Sequence, residues 1–129
     1  MSNFIQVTPL MHVVDMEKAL TFFNDILGFE TLLRQENYAY IQRETVGFRI
    51  IEQCGTDGAP PGNRRFAYYI DVRDLDRLYA ELKPKLDTLP KGDVYGPVNQ
   101  NYGQRELLVL APDGNLLAFG QGIKTESKQ

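Results

Sequence analysis

The sequence is poor in the residues from which disulfides and metal centres are built. It contains one cysteine, Cys54, one histidine, His12, and no tryptophan. A single cysteine cannot form an intramolecular disulfide, which excludes a secreted disulfide-stabilised scaffold. A catalytic metal site usually takes three protein ligands, and the spacing of His12 and the acidic residues does not indicate such a set. We therefore expect no metal and no other cofactor.

Charge and hydropathy exclude further classes of protein. The 14 basic and 17 acidic residues give a net charge of -3, whereas a nucleic-acid-binding surface needs clustered lysine and arginine. No apolar run approaches the length of a membrane-spanning helix. The segment Met1 to Val7 has neither the basic region nor the apolar core of a signal peptide. The sequence thus favours a cytoplasmic protein with no nucleic-acid partner and no membrane partner.

The apolar pattern of the first half predicts one strand, one helix and three further strands. Pro9 interrupts the first strand and places it at a sheet edge, because proline lacks an amide hydrogen. Asp15 fits a helix N-cap, and Gly28 fits a helix C-terminus. The predicted elements are a strand within Phe4–Val14, a helix from Met16 to Leu27, and strands Phe29–Gln35, Tyr38–Gln42 and Gly47–Gln53.

The pattern begins again after a linker rich in glycine and proline, residues 55–63. Asp74 fits the N-cap of a second helix, which Pro84 should end or distort. The predicted elements are a strand Phe66–Val72, a helix carrying Leu75 to Leu86, an irregular stretch Leu89–Val98, strands Arg105–Ala111 and Leu116–Gly120 joined by a turn, and a polar tail, residues 124–129.

The predicted fold class is α+β, with two βαβββ modules at about residues 4–54 and 64–121 of a single domain, 1–123. A chain of 129 residues has the usual size of one domain. One helix against one sheet cannot close a core, so we expect the modules to form a curved mixed sheet with a cup. The modules could pair within one chain or across two. Concave, mostly apolar cups bind small molecules.

Six segments carry a further indication, both in their residues and in their order along the chain. They are Thr8-Pro9-Leu10 leading to Val14-Asp15, Ala19 to Phe23, Ile26 to Glu30, Asp71 to Asp76, Tyr102 to Glu106, and Pro112 to Asn115 followed by Phe119-Gly120. Together they resemble the vicinal oxygen chelate superfamily, and within it the glyoxalase and bleomycin-resistance group. The resemblance extends from about Phe4 to Gln121, and it implies the cupped fold described above.

The resemblance also supplies a test for metal binding. Metal-dependent members of that superfamily hold one divalent ion with His or Glu from the first and last strand of each half. The matching positions here are Thr8, Arg49, Ala67 and Ala118, and none of these residues is a good metal ligand. The resemblance therefore favours the metal-free, bleomycin-resistance-like branch, whose dimers sequester a drug and leave it chemically unchanged. The absence of tryptophan is a difference from that branch, and the stacking of a flat drug group would fall to Tyr and Phe.

Candidate ligand-binding residues follow from their positions in the predicted strands. Arg49 could bind a carboxylate or phosphate, or else pair with Asp71 or Glu52. Tyrosines whose alternation along a strand places them on the side of the cup suit the wall of a small-molecule site. The loop before Arg105 could act as a lid. The full set is His12, Tyr38, Tyr40, Arg49, Tyr69, Asp71, Tyr102 and Arg105.

The leading hypothesis is a metal-free homodimer that binds and sequesters a small organic molecule. The alternatives are a metal-dependent lyase or dioxygenase, a metal-free isomerase using Asp71 or His12, and a structural or regulatory dimer whose cup is filled by its own side chains. Cys54 has no second His placed to activate it as a nucleophile.

Overall fold

The computed structural model describes residues 3, 5–52 and 66–124. The chain divides into two compact units, residues 1–64 and 65–129, which we call module 1 and module 2. Cys54, the predicted linker 55–63 and residues 125–129 of the predicted tail lie outside the described residues. None of the helices in the described ranges is long and apolar enough to cross a membrane.

Module 1 has the predicted order of one strand, one helix and three strands. Its sheet order is β1-β4-β3-β2, with β1 at an edge and parallel to β4 and the other pairs antiparallel. The elements are β1 Leu10–Val13, α1 Met16–Thr21, a π-helical segment Phe22–Ile26, β2 Glu30–Arg34, β3 Tyr38–Arg43 and β4 Val46–Glu52.

The helix of module 1 changes geometry halfway, where the sequence predicted one regular helix. Asp15 caps its start, since the side chain accepts a hydrogen bond from the Lys18 amide at 3.1 Å. At its end the Leu27 amide donates to the Phe22 carbonyl, five residues back. Phe22 and Phe23 are both buried within this wider turn, and the Phe23 ring meets Phe29 edge to face at 5.6 Å. Burial of two consecutive aromatic residues accompanies the departure from α-helical spacing.

Module 2 repeats the plan with the sheet order β5-β8-β7-β6, in which β5 is parallel to β8. Asp74 caps the helix as Asp15 does, and accepts from the Arg77 amide at 3.1 Å. Helix α2 continues two residues beyond Pro84, which therefore lies in its last turn. The elements are β5 Ala67–Asp71, α2 Leu75–Leu86, a 3-10 turn Lys91–Asp93, β6 Val94–Asn99, β7 Gln104–Leu110 and β8 Leu116–Gly122.

The stretch predicted to be irregular, Leu89–Val98, contains most of strand β6, so that prediction was wrong. β6 is an edge strand whose pairing with β7 slips between Tyr95 and Val98. Pro97 lies in the slip and has no amide to donate, which an edge tolerates. Gly96 has a φ of 104°, and a Cβ there would meet the Glu106 carbonyl oxygen. Glycine and proline thus mark a bulge within a strand here, and they do not mean that the strand is absent.

Each sheet buries one face against its own helix. In module 1 the residues facing α1 include Met11, Ala39 and Ile50, all fully buried. In module 2 Leu107, Val109 and Leu117 are fully buried in the same way. Because side chains alternate along a strand, the intervening residues project from the opposite face. We call this the distal face of each module.

A matching hydrogen bond ties the last strand of each module to the start of its helix. The Met16 amide donates to Glu52 Oε2 at 3.0 Å, and the Leu75 amide donates to Gln121 Oε1 at 2.8 Å. Amides in the first helical turn have no partner within the helix. Glu52 and Gln121 supply that partner, and so fix each helix against its sheet.

Replacing Gln121 should show what this tie contributes. We expect Gln121→Leu to lower the free energy of unfolding by about 1–3 kcal/mol, since the amide of fully buried Leu75 loses its acceptor. The matched control is Gln121→Glu, which should cost less because Glu52 already plays this role in module 1. Urea denaturation measures both. Equal losses for the two variants would contradict the role of the hydrogen bond.

Candidate functional site

The distal face of module 1 carries an arginine held by two tyrosines. Arg49 and Tyr40 are directly paired across β4 and β3. The Arg49 Nη1 donates a hydrogen bond to the Tyr38 hydroxyl, and the guanidinium carbon lies 5.6 Å from the centre of the Tyr40 ring. Arg49 is nevertheless exposed. The structure therefore brings together three of the predicted residues and presents a fixed positive charge.

The Tyr40 side chain is itself held in place at its hydroxyl. Its hydroxyl donates to Gln42 Oε1 at 3.1 Å, and Gln42 Nε2 donates to the Glu44 carbonyl at 2.7 Å. Gly47 on the neighbouring strand leaves the space for that hydroxyl, because a Cβ on Gly47 would collide with it. The ring under Arg49 is thus fixed before any ligand arrives.

The distal face of module 2 is organised by a buried carboxylate, Glu106, which is 5% exposed. The Tyr69 hydroxyl lies 2.9 Å from Glu106 Oε2, and the Tyr102 hydroxyl lies 2.8 Å from Oε1. The Gln100 amide donates to Oε1 at 3.3 Å. The Tyr69 hydroxyl also lies 2.9 Å from Gln104 Oε1. A phenol has one proton, which goes to the carboxylate as the stronger acceptor.

These contacts shift the pKa of both tyrosines upward. Loss of hydration, followed by the hydrogen bond to Glu106, raises the pKa of Tyr69 to about 12. The hydrogen bond to Glu106, followed by loss of hydration, raises the pKa of Tyr102. The negative charge of Glu106 adds to both effects. Both phenols therefore remain protonated at neutral pH.

The remaining predicted residues lie apart from these clusters. His12 is half-buried on the distal face of module 1, paired with Ile51. Asp71 is exposed at the end of β5, paired with Gly120. Arg105 lies on the face towards α2, where its guanidinium contacts Asp76 Oδ1 at 3.0 Å and Asn99 Oδ1 at 3.0 Å.

Sequence reasoning missed Glu106, although it stands in the Tyr102 to Glu106 segment that carried the family resemblance. Alternation along β7 gives no clear signal, because Leu107 to Leu110 are all apolar. In the structure Leu107 and Val109 are buried towards the helix, so Glu106 projects from the distal face with Gln104. The sequence pattern therefore did not identify Glu106 as a residue facing Tyr69.

The donor set at the four positions suggested by the resemblance does not fit a metal ion. Arg49 and Ala118 are the direct strand partners of Leu10 and Tyr69, on the distal faces. Neither they nor Thr8 and Ala67 offer a carboxylate or an imidazole. Within the ranges 5–52 and 66–124, no group of three His, Cys, Asp or Glu residues could hold a metal ion.

Titration of Tyr69 tests the Glu106 cluster. The raised pKa means that folding favours the neutral phenol, so this stabilisation is complete below pH 10 and is lost as the pH rises towards 12. In protein with 13C-labelled tyrosine, NMR should place the Tyr69 midpoint near 12 in the native protein. Glu106→Gln should move it towards 10, and Tyr69→Phe assigns the signal. An unchanged midpoint in Glu106→Gln would contradict the cluster.

Comparison with known proteins gives the chain its family. Residues 6–119 match the model of the glyoxalase/bleomycin resistance protein/dioxygenase superfamily. A bleomycin resistance protein of Geobacillus stearothermophilus is 26% identical over 134 residues, covering 94% of this chain and 99% of the relative.

Solved structures agree with the family match. The bleomycin-binding protein of Streptomyces verticillus in complex with copper(II)-bleomycin has a TM-score of 0.73 and 27% identity, covering 95% of this chain and 99% of that one. Another bleomycin-binding protein, in complex with bleomycin, has a TM-score of 0.76 at 23% identity, covering 92% and 99%, and supports the fold. The predicted α+β fold of two βαβββ modules is confirmed, and the chain belongs to the glyoxalase/bleomycin resistance protein/dioxygenase superfamily.

Proposed function

We propose that this protein binds and sequesters a small organic molecule of the bleomycin type and leaves it chemically unchanged. The observation that carries the proposal is the pair of preformed polar and aromatic clusters on the distal faces, in a chain whose relatives include proteins named for bleomycin resistance and bleomycin binding. Both clusters suit recognition, because their side chains are already held in place by hydrogen bonds. Preorganised contacts reduce the entropic cost of binding.

Each predicted residue has a role in this proposal. Arg49 donates to ligand oxygens, while Tyr38 and Tyr40 supply ring area beside it. Tyr69 and Tyr102 do the same in module 2, and His12 and Asp71 orient polar groups of the ligand. Arg105 would reach a ligand only after opening its contacts with Asp76 and Asn99. The donor chemistry of Thr8, Arg49, Ala67 and Ala118 supports binding without a metal.

The test of sequestration is to recover the ligand intact. Calorimetric titration should show saturable binding of bleomycin to the purified protein. The mass of the ligand released by denaturation should be unchanged, with or without added Zn(II), Ni(II) or Mn(II). A lack of binding would overturn the proposed ligand type. A changed mass would overturn sequestration and favour the lyase or dioxygenase alternative.

The contribution of Arg49 is measured by substitution. We expect Arg49→Ala to weaken bleomycin binding by about tenfold or more, corresponding to about 1.4 kcal/mol, with little change in stability because Arg49 is exposed. Arg34→Ala is the matched control, since Arg34 pairs with Glu17 of α1 and is exposed. Equal affinities for the two variants would remove Arg49 from the site.

We also propose that the protein is a cytoplasmic homodimer, as the resemblance to the bleomycin-resistance branch implies. Light scattering after size-exclusion chromatography should give twice the chain mass of 14.7 kDa. A mass of one chain across the concentrations used for bleomycin titration would contradict the dimer.

A further inference from the structure

Glu106 is a buried carboxylate that contacts no basic side chain within the described residues. Its donors within the described ranges, Tyr69, Tyr102 and Gln100, are all uncharged, and no ion pair to Glu106 occurs there. The adjacent Arg105 is engaged by Asp76 on the other face of the sheet. Hydrogen bonds from neutral donors offset only part of the cost of removing a carboxylate from water, and a nearby positive charge offsets more of it. The described part of module 2 is thus short of one cation at this point.

The two tyrosines present their rings where such a cation could lie. Tyr69 is 46% exposed and Tyr102 is 62% exposed, although both hydroxyls are tied to the same buried carboxylate. Donation of a hydrogen bond to an anion increases the electron density of a phenol ring, which strengthens its attraction for a cation above the ring face. A flat cation gains further contact by stacking on an aromatic ring.

The acceptor capacity of Glu106 is not exhausted either. A carboxylate has about four lone-pair sites, and the three donors from Tyr69, Tyr102 and Gln100 account for three of them. A ligand that displaces part of this shell can therefore donate to the carboxylate directly. The rings provide the first contact, and the charge of Glu106 provides the selectivity.

We propose that Glu106, with Tyr69 and Tyr102, forms a subsite for a planar cationic group of the ligand, an amidinium or a guanidinium. The proposal deepens the binding function given above, because it names the chemistry of one part of the ligand. Glu106 acts both as a positioning residue for the two rings and as the source of negative charge.

The probes are benzamidine, which is a planar cation at neutral pH, and benzamide, which has nearly the same shape and no charge. Binding is followed by NMR of 13C-labelled tyrosine rings. In the native protein we expect benzamidine to bind about tenfold more tightly than benzamide, as a cation–π contact reinforced by a buried charge should give. Equal dissociation constants for the two probes would overturn the proposal.

Charge at Glu106 is then removed by Glu106→Gln. This variant should reduce the preference for benzamidine to about twofold or less, since the rings remain while the charge is gone. Glu81→Gln is the matched control, because Glu81 is an exposed residue of α2 with the same side chain. A preference that survives in Glu106→Gln, or that falls equally in Glu81→Gln, would overturn the proposal.

A second variant guards against loss of folding in Glu106→Gln. Tyr69→Phe combined with Tyr102→Phe keeps both rings and the carboxylate and removes both hydroxyl tethers. We expect benzamidine binding to weaken by about threefold or more, since the rings are no longer positioned by Glu106 and lose the electron density that the hydrogen bonds supply, whereas benzamide binding should weaken less. Unchanged benzamidine affinity in this variant would overturn the positioning role.

The outcome is independent of the bleomycin titration. If bleomycin does not bind but the preference for benzamidine depends on Glu106, the proposed ligand type is wrong and the subsite stands. If bleomycin binds while the native protein does not distinguish the two probes, the subsite is wrong and sequestration stands.

Discussion

Both modules depend on the sealing of one sheet face by a single helix. The tie from the last strand to the helix start, through Glu52 in one module and Gln121 in the other, fixes which face is sealed. Alternation along the strands then determines which strand residues are available for recognition. Arg49, Tyr38 and Glu106 lie on the distal faces because of this constraint, and not because of any local sequence signal. The chemistry of the protein is in this sense a consequence of its packing.

The two modules share this arrangement of sheet and helix, whereas the residues on their distal faces differ. Arg49 and Ala118 hold equivalent positions, three residues before Glu52 and Gln121 respectively. Tyr38 and Glu106 are equivalent on β3 and β7, because their partners across the sheet, Ile51 and Gly120, each lie one residue before Glu52 or Gln121. One face therefore presents a fixed cation on tyrosines and the other a buried anion beneath tyrosines. The two distal faces thus carry opposite charges, while the residues that face the helix are apolar in both modules.

Strand parity was sufficient to place Tyr38, Tyr40 and Arg49 on one face of the sheet, but it did not predict that the Arg49 guanidinium contacts both tyrosines. It was insufficient for β6, where Gly96 and Pro97 produce a bulge that looks like a loop in sequence. Glu106 was missed for another reason. Its importance comes from burial beneath tyrosines that are distant in sequence or in a turn, and composition and spacing do not report burial.

Gly47 and Gly120 have a consequence for the shape of the recognition surface. Each lies where a tyrosine hydroxyl occupies the space of a side chain, Tyr40 over Gly47 and Tyr69 over Gly120. The rings of Tyr40 and Tyr69 therefore lie along the surface of the sheet and do not project away from it. Each distal face thus presents an aromatic ring that lies flat against the sheet. A surface of this kind favours planar ligand groups, whatever polar contacts those groups also make.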